Sequence, residues 1–149
     1  MSRYYEVLCE DLQSWTFIYQ ALKNTPGVDR RRIVKYPFPD SRYNATGRAV
    51  DCARSIEGYK VYACGAQHVT MNFPLVLRAI RSRHVDVALV VHIDVDNTRT
   101  DPRTVEDRCR ELDEACDDRG VARAAAGDPV ARLVPRREIE TWIHCLLGE

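Results

Sequence analysis

Three acidic residues stand where apolar runs end. The stretch Val85-Asp86-Val87-Ala88-Leu89-Val90-Val91-His92-Ile93-Asp94-Val95-Asp96-Asn97 is β-branched and closes in two aspartates one residue apart. Val87 to Val91 is continuously apolar, the pattern of a strand buried on both faces of a parallel sheet. Near the start of the chain, the shorter run Tyr4 to Cys9 is followed directly by Glu10 and Asp11. If the two runs are parallel strands, Glu10, Asp94 and Asp96 share the carboxyl edge of the sheet, the side on which open α/β sheets bind ligands. Three converging carboxylates repel one another unless a cation lies between them. They form an oxygen-rich site suited to Mg²⁺ or Mn²⁺, and one of them could act as general acid or base. The plainer reading is that acids at strand ends are solvated or cap the next helix.

The elements that would position these acids follow from periodicity. Leu12, Trp15, Ile18 and Leu22 recur at helical spacing up to Lys23, and Asn24-Thr25-Pro26-Gly27 stops that helix. Arg30 to Tyr36 predicts a second strand with a basic approach, closed by Pro37 and Pro39. Residues 37–64 read as a variable insertion, with a short helix over Ala49–Ile56 and a short strand over Lys60–Cys64. Asn72 and Pro74 predict the cap and first turn of a helix whose apolar side carries Leu75, Leu77, Ala79 and Ile80, with Arg78, Arg81 and Arg83 on its basic side. After the central strand, Thr104 with Asp107 reads as a capping box. Val105, Cys109, Leu112 and Cys116 form a stripe along the helix that follows, and Gly120 ends it. Pro129 to Val134 predicts a last strand. Pro135-Arg136-Arg137 then leads into a helix with Ile139, Trp142, Ile143 and Leu146 on one face. The alternation argues for a single α/β domain over residues 1–149: a three-layer, Rossmann-like, mostly parallel four-stranded sheet with helices on both faces. The last helix is apolar and stops almost at the chain end, so it could continue in a longer protein or pack on a partner or a second copy.

Bulk properties exclude some functions. With 22 basic and 22 acidic residues among 149, the net charge is zero and no global basic field draws in nucleic acid. A polyanion would have to meet a local patch or a metal. No apolar run approaches the ~20 residues that span a bilayer, and Glu6 and Glu10 interrupt any signal-peptide pattern, so the expected location is the cytoplasm. The six cysteines form no C-x-x-C pair and read as free thiols, Cys109 and Cys116 being buried on a helix stripe. His92 reads as a core histidine, and Trp15 and Trp142 as core residues.

Three stretches together resemble a known family. V-L-C-E-D-L-Q-S-W-T-F-I (Val7 to Ile18), the Asp-Val-Asp after an apolar strand, and L-V-P-R-R-E-I-E-T-W-I (Leu133 to Ile143) look like a Toprim-like domain, the metal-dependent catalytic unit of topoisomerases, bacterial primases and several nucleases. The resemblance covers most of the chain outside residues 37–64. It implies a Glu at the end of the first strand as general acid or base, here Glu10, and an Asp-x-Asp holding Mg²⁺ (or Mn²⁺), here Asp94 and Asp96 with Glu10 beside them. The implied activity is phosphodiester cleavage or transfer on nucleic acid, nuclease-like. Arg136 and Arg137 could reach phosphate, and Glu140 is the candidate for an extra acid. Two positions depart from the pattern: Asp11 stands where the family usually has Gly, and Asn97 to Thr100 precede the next acid, Asp101. These departures leave open a catalytically inactive binding or assembly module. Ile93 to Thr98 also resembles the first motif of haloacid-dehalogenase-type phosphatases, but no lysine follows Thr98, and that chemistry needs one.

Overall fold

A computed structural model describes residues 3–36, 53–56, 59–62, 65–83, 86–95 and 102–135, with 53–56 and 59–62 described by backbone alone. Asp96, Arg136, Arg137, Glu140, Trp142 and the C-terminal helix expected to follow Pro135 lie outside the described residues.

Strand β1 (Tyr4–Leu8) leads into helix α1 (Leu12–Lys23) and then, through a 3₁₀ turn at Arg30–Arg32, into β2 (Ile33–Lys35). A hairpin follows, β3 (Ala53–Ile56) and β4 (Tyr59–Tyr62), and then α2 (Gly65–Ser82), β5 (Val87–His92), α3 (Val105–Asp118) and β6 (Val130–Leu133). The main sheet has four strands in the order β2-β1-β5-β6, every pair parallel. The fold is α/β, three-layered and Rossmann-like, as the alternation of elements predicted. From β1 the chain first steps out to β2, then returns past β1 to β5. That reversal is the switch point of a doubly wound sheet, between the carboxyl ends of β1 and β5, where sheets of this kind bind their ligands. Among the described residues no helix is long and apolar enough to cross a membrane.

Strand alternation divides the core. Leu8, Val87, Leu89, Val91 and Ile93 face α2 and α3, meeting Val69, Phe73, Val76, Leu77 and Ile80 of α2 and Leu112 and Cys116 of α3. Val7, Cys9, Ile33 and Val90 face the other way, against Ile18, with Trp15 and Leu22 packed beside it. Each fully buried large side chain contributes about 1.5–3 kcal/mol, so most of the fold's stability lies on the α2/α3 face. Helix α3 starts and stops as its sequence predicted. The Thr104–Asp107 capping box is formed in both directions. At the other end Gly120 has φ 63°, its N–H bonds Asp117 O, and the Val121 N–H bonds Cys116 O. That Schellman closure folds Val121 onto the core.

Four expectations are corrected. Asn72 does not cap α2. The helix begins at Gly65, whose φ of 77° suits glycine and whose N–H bonds Glu10 O at 2.7 Å. Pro74 is thus interior and buried, a placement that forfeits a backbone bond at about 3 kcal/mol. The buried stripe Val69, Phe73, Val76, Leu77 and Ile80 offsets that cost. Asn72 instead turns its amide back onto His68 O at 2.7 Å. Starting the helix earlier also fixes its buried face, and Leu75, expected in the core, is 39% exposed. Arg30–Arg32 is not strand, because Asp29 accepts the Arg31 N–H and tightens that segment into a turn. Ala53–Ile56 is strand rather than helix, paired antiparallel with Tyr59–Tyr62. The β-branched and aromatic residues of β4 favour an extended partner, and cross-strand bonding overrides the local preference of β3.

Candidate functional site at the carboxyl edge

Strand β5 carries its buried alternation to the end. Val91 pairs with Leu8 in the parallel register, so Glu10 and Asp94 leave their strands side by side at the switch point. Ile93 N–H bonds Leu133 O on the β6 side at 3.1 Å. The next N–H, that of Asp94, points the opposite way and donates to Glu10 Oε1 at 3.1 Å. Glu10 and Asp94 are 6% and 8% exposed. Two of the acids singled out in the sequence are therefore brought together, 84 residues apart in the chain; Asp96 lies outside the described residues.

Helix starts crowd this edge. Asp11, the departure from the Toprim-like pattern, is the N-cap of α1: its carboxylate accepts Ser14 N–H at 2.7 Å. An aspartate there ties down an N–H that a glycine could not, a cap commonly worth about 1 kcal/mol. The first residue of α2 hangs on the Glu10 carbonyl. The first turn of α3 reaches Asp94 through Arg108, whose Nε donates to Asp94 O at 2.8 Å. Helix N-termini carry partial positive charge and favour anions, so the edge combines a positive backbone field with acidic side chains.

Arg108 was missed as a site residue. It is 3% exposed, and its second bond, Nη1 to Glu111 Oε2 at 2.8 Å, is shared with Arg103, which donates to Glu111 Oε1 at 2.5 Å. The signal was there: Arg108 is three residues after Val105 and four before Leu112, a charged residue on the helix's apolar stripe. Arg103, Arg108 and Glu111 line a cleft of about 620 Å³ between α2 and α3, with Gln67, Thr70 and Glu114.

His92 departs from the expected role of a satisfied core histidine. It is 2% exposed, and neither ring nitrogen makes a hydrogen bond. Its Nε2 lies 3.3 Å from Asp94 Oδ1, without hydrogen-bond alignment, and that oxygen also has no donor. Asp94 is thus held by its backbone on both sides, by Glu10 and by Arg108, with one buried carboxylate oxygen left over. That orphaned oxygen fits a cation. Among the described residues, however, no three His, Cys, Asp or Glu side chains group closely enough to hold a metal ion. Cys9, next to Glu10, is no nucleophile: burial, reinforced by Asp11, pushes its thiol up to about 12. Burial also raises the Cys116 thiol, and Cys9, Cys109 and Cys116 are all free thiols, as expected.

No family model, curated protein or solved structure matches the chain.

Proposed function

We propose that the chain is a Toprim-like domain that carries out metal-dependent phosphoryl transfer on nucleic acid, most simply phosphodiester hydrolysis, in the cytoplasm. The observation that carries this reading is the junction of Glu10 and Asp94 across the switch point. A Glu closing the first strand and an Asp opening an Asp-x-Asp after the central strand are the positions the resemblance requires, and the fold holds them in contact.

Asp94, with Asp96 beyond it, would hold Mg²⁺ or Mn²⁺, and the orphaned Asp94 Oδ1 is the atom that fits it. When bound, the ion supplies positive charge against the phosphate oxygens. The chain's own residues do the rest. Glu10 takes or returns a proton at its carboxylate, while its Oε1 keeps the Asp94 backbone in place. Arg108 fixes the same segment from the α3 side, so that Asp94 does not follow its charge out to water. The helix N-termini at this edge favour the phosphate. Arg136 and Arg137 would add phosphate contacts, and Glu140 a further acid. Asp11 serves α1 as its cap, which gives this departure from the pattern a structural cause.

Cleavage of single- and double-stranded DNA and RNA in Mg²⁺ or Mn²⁺ tests the reading. Glu10→Gln is expected to lose about 10²-fold or more of the rate, the usual worth of a general acid–base, and Asp94→Asn to lose both rate and Mn²⁺ binding. A chain that binds Mn²⁺ through Asp94 but cleaves none of these substrates is the alternative, a non-catalytic binding or assembly module. Mn²⁺ binding that is indifferent to Asp94→Asn removes the metal site altogether.

A further inference from the structure

We propose that His92 is, with Asp94, a direct ligand of the divalent cation at the carboxyl edge, and that this nitrogen donor makes the site prefer Mn²⁺ or Zn²⁺ to Mg²⁺. The inference rests on the metal-site reading above and deepens it.

Side chains two apart on a strand project to the same side, so His92 and Asp94 face one way from β5 and its end. Both are more than nine-tenths buried as residues. His92 Nε2 and Asp94 Oδ1 stand 3.3 Å apart, and neither makes a hydrogen bond. With the neutral ring's proton on Nδ1, the Nε2 lone pair and the carboxylate oxygen repel each other at that distance unless a cation lies between them. Two ligands each about 2.0–2.2 Å from one ion and set at right angles lie about 3 Å apart. The observed separation is close to that.

The surroundings support a ligand over a packing residue. Strand β5 is otherwise Val-Ala-Leu-Val-Val, and a further aliphatic side chain at position 92 would fill the core without polar atoms. Burying unpaired polar atoms costs about 1–3 kcal/mol per group, and such costs are kept where function needs them. The backbone of Asp94 is fixed on both sides, by Glu10 Oε1 and by Arg108 Nε. Imidazole suits transition-metal ions, whereas Mg²⁺ is held by oxygen.

The test uses the full chain. Electron spin-echo spectroscopy on the wild-type protein with one equivalent of Mn²⁺ is expected to show ¹⁴N modulation from a coordinated imidazole. This readout does not depend on any variant folding. Calorimetry with Mn²⁺ and Mg²⁺ then compares wild type, His92→Gln and Asp94→Asn, each checked for a native circular-dichroism melt. His92→Gln is expected to weaken Mn²⁺ by at least about tenfold, the lower end of what even an outer-shell partner costs, and to shift Mg²⁺ by less than about twofold. Asp94→Asn is expected to weaken both. Wild type without ¹⁴N modulation, or His92→Gln weakening Mn²⁺ and Mg²⁺ alike, overturns the His92 assignment and leaves the Asp94 site standing. If Asp94→Asn changes neither ion, the metal site itself falls and the assignment of His92 falls with it.

Discussion

Glu6 and Asp94 are buried to nearly the same degree, 7% and 8% exposed, on the two central strands of one sheet. Their surroundings differ. Glu6 sits at the end of the molecule where α2 returns to the sheet, and Arg83 donates to its Oε2 at 2.5 Å. Nearby, Arg3 grips both oxygens of Asp86, and the Arg32 guanidinium lies 4.7 Å over the Tyr4 ring. Charge at this amino edge is matched locally. At the carboxyl edge the bonds from Glu10 and Arg108 go to the backbone of Asp94, and among the described residues Asp94 Oδ1 faces His92 Nε2 at 3.3 Å without a hydrogen bond. Burying a charge is expensive unless it is paired. An edge that pairs its charge contributes stability. An edge that fixes the backbone and leaves a buried carboxylate oxygen without a donor gives up that contribution.

Removing the amino-edge cation should have the largest effect. Arg83→Ala leaves Glu6 buried beside no guanidinium, and a loss of about 2 kcal/mol is expected from urea unfolding. That is below the roughly 3–5 kcal/mol of a fully buried pair, because 41% of the Arg83 side chain is exposed. A loss under about 0.5 kcal/mol, the level of an exposed pair, would mean that the amino edge is no better matched than the carboxyl edge. The carboxyl edge should respond in the opposite sense. Asp94→Asn removes an unpaired charge and offers an amide N–H to His92 Nε2, so metal-free stability should hold or rise by up to about 1 kcal/mol. A clear destabilisation in chelator would make Asp94 a structural residue and break the contrast.

The smallest effect concerns a matched pair away from both edges. Arg81, near the end of α2, makes two bonds to the Asp128 carboxylate, which also accepts the Ala125 N–H. The Arg81 guanidinium, and then that N–H, hold the carboxyl down at about 2, against an ordinary 3.8. A carboxyl depressed in the folded state stabilises fully above its unfolded value and loses that contribution as the pH falls through the folded one. Asp128→Asn should therefore cost at most about 1 kcal/mol near neutrality. Its unfolding midpoint should converge with that of wild type as the pH falls from about 4 toward 2. A gap that persists at pH 2 would assign the effect to the Asp128 hydrogen bonds rather than to its charge.

Much of the framework was legible because its determinants are local. The Val87–Val91 run specified a buried strand, Leu12 to Leu22 and Val105 to Cys116 carried helical periods, and Thr104, Asp107 and Gly120 marked the limits of α3 by backbone chemistry alone. Glu10 and Asp94 were found because acids that end two parallel strands must share an edge. Where the reading failed, a distant partner decided. Asn72 and Pro74 look like a helix start until Gly65, anchored on Glu10, extends the helix backward. Ala53–Ile56 becomes strand because a hairpin partner lies two residues on. Arg108 went unread although it stands on the apolar stripe of α3, and its partner, Asp94 O, lies on a distant strand end.

By itself, then, the amino-acid sequence determined the strands of the main sheet, the helices α1 and α3 and the pair of strand-end acids, since periodicity, caps and turn residues act within a few residues of one another. Tertiary structure decided the strand order, and with it the meeting of Glu10 and Asp94 at a switch point. It also decided that Asp94 would be held by its backbone while its carboxylate faces His92. Those outcomes depend on bonds between residues 14 and 84 positions apart, and on burial, which converts an ordinary histidine and aspartate into two polar atoms without hydrogen-bond partners.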